Sequence, residues 1–167
     1  MTTLRPVGDG EEFSAQSNNS EWLVAWHPPA TVPDGVRHGA AGICLTDDSY
    51  LVLISPDGER WGLPGGRPEP KETWDETLRR ELHEEACAEV MRARLLGFVR
   101  GECISGAERG RVLVRSFWKA IVRLRPWAPE FEISSRMVIP AHEWRQHLWI
   151  EHSYDSIYLR AFTEADL

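Results

Sequence analysis

"GGRPEPKETWDETLRRELHEEACAEV", residues 65–90, leads from a glycine pair and two prolines into a run rich in acids, with Glu81, Glu84 and Glu85 close together. Thr73-Trp74-Asp75-Glu76 fits a capping box: the Thr73 hydroxyl accepts from the backbone N–H of Glu76, and the Glu76 carboxylate reaches back. Leu78, Leu82 and Ala86 then recur every fourth residue. This spacing predicts a helix running to about Cys87 or Glu89 with one buried stripe.

At ~100° per residue, the three glutamates lie within about 100° of one another, beside that stripe. Carboxylates at i and i+4 have Cβ atoms ~5–6 Å apart. At an effective dielectric of ~20 they repel by roughly 3 kcal/mol; fully exposed, by a few tenths. Spacing alone therefore admits two readings, a solvated acidic face and a cation site. A hard divalent cation such as Mg²⁺ would make the cluster favourable, because it takes carboxylate oxygens and keeps waters for phosphate binding.

Around this helix the chain reads mainly as strands. Residues 21–29 form an apolar run stopped by Pro28-Pro29, predicting an edge strand. Residues 36–45 and 50–55 read as two strands joined through Asp47-Asp48, and 93–104 as another. In 111–125 the even positions are mostly apolar, whereas Arg111, Arg115, Lys119, Arg123 and Arg125 occupy odd ones. Such alternation predicts one buried face. A strand over 133–139, a short helix starting at Pro140 and a terminal helix over 154–165 complete the pattern. Residues 1–20 read as a flexible arm and 21–167 as a single domain, a mixed sheet flanked by helices.

The 167 residues carry a net charge of −7, unevenly spread: 7 basic and 17 acidic side chains in residues 1–91, against 9 and 2 in residues 92–125. That balance disfavours bulk nucleic-acid binding, while a basic segment beside an acidic helix suits a small phosphorylated ligand held with a cation. No apolar run approaches the ~18 residues of a membrane helix. The N-terminus lacks the apolar block of a leader, and the three cysteines have no metal-ligand spacing. Reduced thiols and a cytoplasmic setting are the expectation. The sequence leaves the oligomeric state open.

Gly66, five residues, Glu72, seven residues, Arg80-Glu81-Leu82, one residue, Glu84-Glu85: this order resembles the Nudix box of the MutT/Nudix hydrolases, and "WGLPGG" (61–66) resembles its lead-in. The resemblance extends over roughly residues 36–150 and implies an α+β Nudix fold, an α/β/α sandwich. It implies that Glu81, Glu84 and Glu85, with the main-chain carbonyl of Gly65, ligate Mg²⁺ or Mn²⁺. Arg80 would orient the carboxylates and pair with Glu72, while Gly66 and Glu72 shape the loop. Glu132 stands where many relatives carry an acid ahead of a strand, and is the candidate general base; a box glutamate is the alternative. The implied reaction is hydrolysis of the phosphoanhydride of a nucleoside diphosphate linked to another group. Cys87 departs from the family's glycine and Ala88 from a larger aliphatic, predicting that the helix continues by a turn.

Two other readings share the fold. A non-catalytic nucleotide-binding or regulatory domain is expected to lose box carboxylates, and all are present. Isomerisation of an allylic diphosphate needs a separate proton donor and acceptor, for which no signature appears. Residues 88–119 contain neither Pro nor Tyr; by resemblance this argues against the ADP-ribose and dinucleoside polyphosphate groups. Trp61 and Trp118 are candidates for stacking on a base, and Arg115 for contacting phosphate. "HEEAC" (83–87) lacks the second histidine of a metalloprotease helix, and His142, His147 and His152 read as surface residues.

Overall fold

The computed structural model describes residues 4–130, 133 and 135–167. Asn18 and Asn19 both take positive φ, 50° and 58°, and close a two-residue turn between β1 (Glu12–Ser17) and β2 (Ser20–His27). Paired left-handed residues match the twist of hairpin strands. Residues 12–20, expected in a flexible arm, are therefore part of the sheet. Ala15 is buried, Val7 N–H donates to Ser156 O, and the Arg160 guanidinium holds both Val7 O and Asp9. The hairpin also makes β1 the sheet edge, moving β2 inward from the edge position expected of it.

Six further strands follow: β3 (Val36–Leu45), β4 (Tyr50–Ser55), β5 (Gly65–Gly66), β6 (Ala88–Ser105), β7 (Val112–Leu124) and β8 (Ser135–Pro140). The sheet order is β1-β2-β6-β7-β3-β4-β8, with β5 against β3. Its named pairs are antiparallel except β3 with β7, which run parallel, so the sheet is mixed as expected.

Helix α1 (Trp74–Ala86) covers one face. Leu78, Leu82 and Ala86 pack on Ala40, Cys44, Val52, Trp118 and Ala120. On the other face α2 (Trp144–His147) and α3 (Asp155–Glu164) close a second core with Trp26, Ile43, Leu53 and Phe117, where Trp144 stacks on Phe162 at 3.9 Å. Because helices lie on both sides, β7 has two covered faces rather than one. Phe117 is buried, and Lys119 lays its stem inward to donate to Ala165 O at 2.8 Å. Among the described residues no helix is long and apolar enough to cross a membrane.

Thr73 caps α1 as predicted, accepting from Glu76 N–H at 3.2 Å; its hydroxyl also donates to the Glu76 carboxylate. The other end departs from expectation. The helix stops at Ala86, and Cys87 takes the left-handed conformation (φ 49°, ψ 45°) that a glycine would take there. Its strain is offset by tertiary contacts: Cys87 O accepts from Arg125 N–H, and its Sγ accepts from Ala128 N–H. β6 then starts at once, five residues earlier than the sequence pattern predicts.

Leu82, fully buried between α1 and the sheet, sets the scale of this packing. Leu82→Ala is expected to lower stability by about 2–5 kcal/mol. The check is a urea unfolding midpoint that falls with an unchanged slope.

Candidate active site

β5 is two glycines laid antiparallel on β3, Gly65 opposite Ala41 and Gly66 opposite Ala40. The reason is space. A Cβ on Gly66 would sit 2.4 Å from Glu81 Cδ, so only glycine lets that carboxylate rest against the strand. Gly65 N–H donates to Glu85 Oε2 at 3.1 Å. One turn of α1 is thereby fastened to the backbone of the loop before it.

Arg80 organises the remaining acids. Its Nε and Nη2 grip Glu72 at 2.9–3.1 Å, and Nη1 donates to Glu81 at 2.9 Å and Glu84 at 3.1 Å. Nη2 also reaches Arg67 O at 2.8 Å. Glu72 accepts from Glu69 N–H, its carbonyl accepts from Arg37 Nη1, and the Arg37 guanidinium lies over the Trp74 ring. The expected Arg80–Glu72 pair is thus present, holding the loop on the helix.

The electrostatics separate Glu72, Glu81 and Glu85. Hydrogen bonds from Arg80 hold the Glu72 carboxyl below the usual range, and the Arg80 guanidinium is raised in turn, chiefly by Glu72. Burial raises Glu81 against the pull of Arg80. Glu85 has no bond to Arg80 among those described. Burial first, then the Glu81 and Glu84 charges, push it up to about 7, although the Gly65 N–H opposes. A solvated acidic face would not show the rise by burial at Glu81 and Glu85.

The donors at this site are all oxygens, the set preferred by Mg²⁺ and Mn²⁺ rather than by soft metals. Among the described residues no three His, Cys, Asp or Glu side chains converge into a ready-made metal cage. The fit rests on the adjacency of Glu81, Glu84 and Glu85 along one helix, and on Glu85 making no ion pair among the described residues. An ion that keeps part of its water shell suits such an open set.

On the α3 side of the sheet a cleft of about 570 Å³ opens next to Gly62, Leu63 and Arg67. Trp22, Val99, Phe117 and Tyr158 supply apolar surface, while His38, Arg111, Arg115, Glu108 and Glu151 supply charge. Of the residues proposed for substrate, Arg115 lines this cleft. Trp61 does not; it pairs its backbone with Leu148 and Trp149 and packs at the core margin. Trp118 lies on the opposite face beneath α1, 9% exposed, its Nε1 donating to Ser116 Oγ, which leaves little ring for a nucleobase. Glu132 lies outside the described residues.

Sequence reasoning missed Trp149, half exposed at the cleft with Arg60 over its ring, and the His38–Arg67 pair of cleft residues. Arg67 directly follows the glycine pair, which was a usable signal; Trp149 and His38 carried none.

Comparison with known proteins adds a lineage. Residues 36–158 match the NUDIX domain. Over 69 residues the chain is 39% identical to mouse diphosphoinositol polyphosphate phosphohydrolases 3-alpha and 3-beta, covering 39% of this chain and 42% of theirs, so it spans under half the length of these curated relatives. Among solved structures it resembles the Bacillus subtilis pyrophosphohydrolase BsRppH (TM-score 0.69, 19% identity, 93% of this chain and 96% of that one). It also resembles the NUDIX domain of Shewanella oneidensis NrtR complexed with ADP ribose (TM-score 0.57, 17% identity, 84% and 94%). At such identities the structural likenesses speak for the fold. With a domain match spanning well over half its length, the chain belongs to the NUDIX family.

Proposed function

We propose that this protein is a metal-dependent hydrolase that cleaves the phosphoanhydride of a nucleoside diphosphate linked to another group. The observation that carries this reading is the setting of Glu81, Glu84 and Glu85: three neighbouring carboxylates on one helix, Glu81 and Glu85 against the Gly65–Gly66 strand and Glu84 on Arg80, with Glu85 in no ion pair among the described residues. Mg²⁺ or Mn²⁺, held by these three and the Gly65 carbonyl, would neutralise charge developing on the diphosphate and acidify a bound water.

The chain's own residues do the rest. Arg80 fixes Glu81 and Glu84 in one orientation before substrate arrives, so little reorganisation is needed during reaction. Glu132 is the proposed base that takes the proton of the attacking water. Arg115 faces the substrate from the cleft, and Trp149, rather than Trp61 or Trp118, offers an exposed ring for the base. Three free, buried cysteines suit a reducing, cytoplasmic setting.

The experiment is a hydrolysis screen with Mg²⁺ over nucleoside triphosphates, nucleotide sugars, ADP-ribose, dinucleotides and diphosphoinositol polyphosphates, with products identified. Metal-dependent release of phosphate or a monophosphate product is expected. Binding without product across the whole set would instead establish the non-catalytic alternative.

A further inference from the structure

The cleft gathers Arg67, Arg111, Arg115 and His38 along one lining. Gly39 of β3 lies opposite Arg115 of β7 just after a register shift at His38, and β5 sets Gly66 opposite Ala40, so β3, β7 and the residue following β5 bring His38, Arg115 and Arg67 to the cleft. The His38 imidazole is held down by burial and then by the charges of Arg115, Arg67 and Arg111, which line the same cleft; Glu108 opposes them. Arg115 is also within electrostatic reach of Glu85, Tyr154 and Tyr158.

Many other arginines are ion-paired: Arg5 with Glu11, Arg79 with Asp75, Arg80 with Glu72, Arg123 and Arg125 with Glu89, Arg160 with Asp9; Arg92 and Arg109, which are not, stand exposed outside the cleft. In the cleft Arg111 pairs with Glu108, but among the described residues the side chains of Arg67 and Arg115 have neither a carboxylate nor a hydrogen-bond partner. In a protein of net charge −7, two unmatched guanidiniums beside a half-buried histidine are a local excess. Like charges crowded together cost free energy unless an anion joins them, and planar guanidinium donors suit phosphate oxygens.

We propose that Arg67, Arg115 and His38 form a second phosphate subsite, separate from the acidic one, that selects substrates carrying at least one phosphate beyond the diphosphate that is cut. This rests on the hydrolase reading, with the scissile diphosphate at Glu81, Glu84 and Glu85. The extra phosphate is either the end of a longer polyphosphate chain or a monoester elsewhere on the substrate.

Two measurements test it. The first compares kcat/KM for a nucleoside triphosphate and for a 2′-phosphorylated dinucleotide, each against ADP-ribose, in the parent, Arg115→Ala and Arg67→Ala. The parent is expected to prefer at least one phosphate-bearing substrate, and each variant to reduce that preference by roughly tenfold or more. The substrate whose advantage collapses identifies the source of the phosphate. Equal losses on all three substrates would overturn the subsite.

The second measurement follows the His38 ring resonances by NMR during titration with inorganic tripolyphosphate in metal-free buffer. Saturable shifts in the parent, weakened in Arg115→Ala, are expected; unmoved resonances would overturn the proposal. Shifted His38 resonances in a protein that hydrolyses nothing would sink the hydrolase reading alone. Turnover without any preference would sink the subsite alone.

Discussion

Glu85→Gln is expected to cut kcat by roughly 10²–10⁴-fold at saturating Mg²⁺ while leaving the fold in place. Glutamine keeps the size of the side chain, and its amide oxygen still accepts from Gly65 N–H, so the link between β5 and α1 survives. What disappears is one negative charge in a trio of which Arg80 engages only the other two. Circular dichroism and the unfolding midpoint should match the parent within about 1 kcal/mol, as expected when no buried bond is lost. A Glu85→Gln enzyme as active as the parent would remove Glu85 from the catalytic set. Activity lost in step with stability would mean the residue is only structural.

The adjacent glycines are expected to fail in opposite ways. Gly65→Ala puts a Cβ 2.2 Å from Ala40 O and 2.8 Å from Ala41 Cα, both backbone atoms of β3 in the sheet interior. Neither can withdraw without breaking strand pairing, so a loss of about 3 kcal/mol or more is expected. Gly66→Ala instead meets the Glu81 carboxylate, the far end of a side chain that can swing away. That variant should lose little stability and most of its activity, because Glu81 leaves both Gly66 and Arg80. Melting temperatures and kcat measured side by side on the two variants decide the matter; the same pattern in both would contradict the distinction.

Much of this region is legible in sequence because its determinants are local. The Thr73 cap, the Leu78–Leu82–Ala86 stripe and the grouping of the three glutamates follow from spacing along a single helix, and the Arg80–Glu72 pair from the resemblance of the motif. The end of that helix is not. A left-handed non-glycine residue costs about 1–2 kcal/mol, and at Cys87 the compensating bonds come from Arg125 and Ala128, far along the chain. β1 was hidden by its polarity: it lies at the edge with Ala15 its buried contact, and the Asn18-Asn19 turn was its best signal. The basic end of the cleft was equally hidden, since His38, Arg67 and Arg115 become neighbours only through strand register. Trp118 illustrates the converse. Its face of β7 was legible from alternation, but which helix would cover that face was not.

The parallel union of β3 with β7 has a kinetic corollary. Ser116 Oγ donates to Gly39 O across 77 positions of chain, and between them lies every segment of the acidic helix and its loop. Closing so long a connection demands entropy before contacts can reward it, which slows formation relative to the local hairpins. On a nascent or refolding chain, the capped helix can therefore assemble early while Arg115 is still absent from its place in the cleft. Recovery of substrate discrimination should consequently trail the return of helical signal.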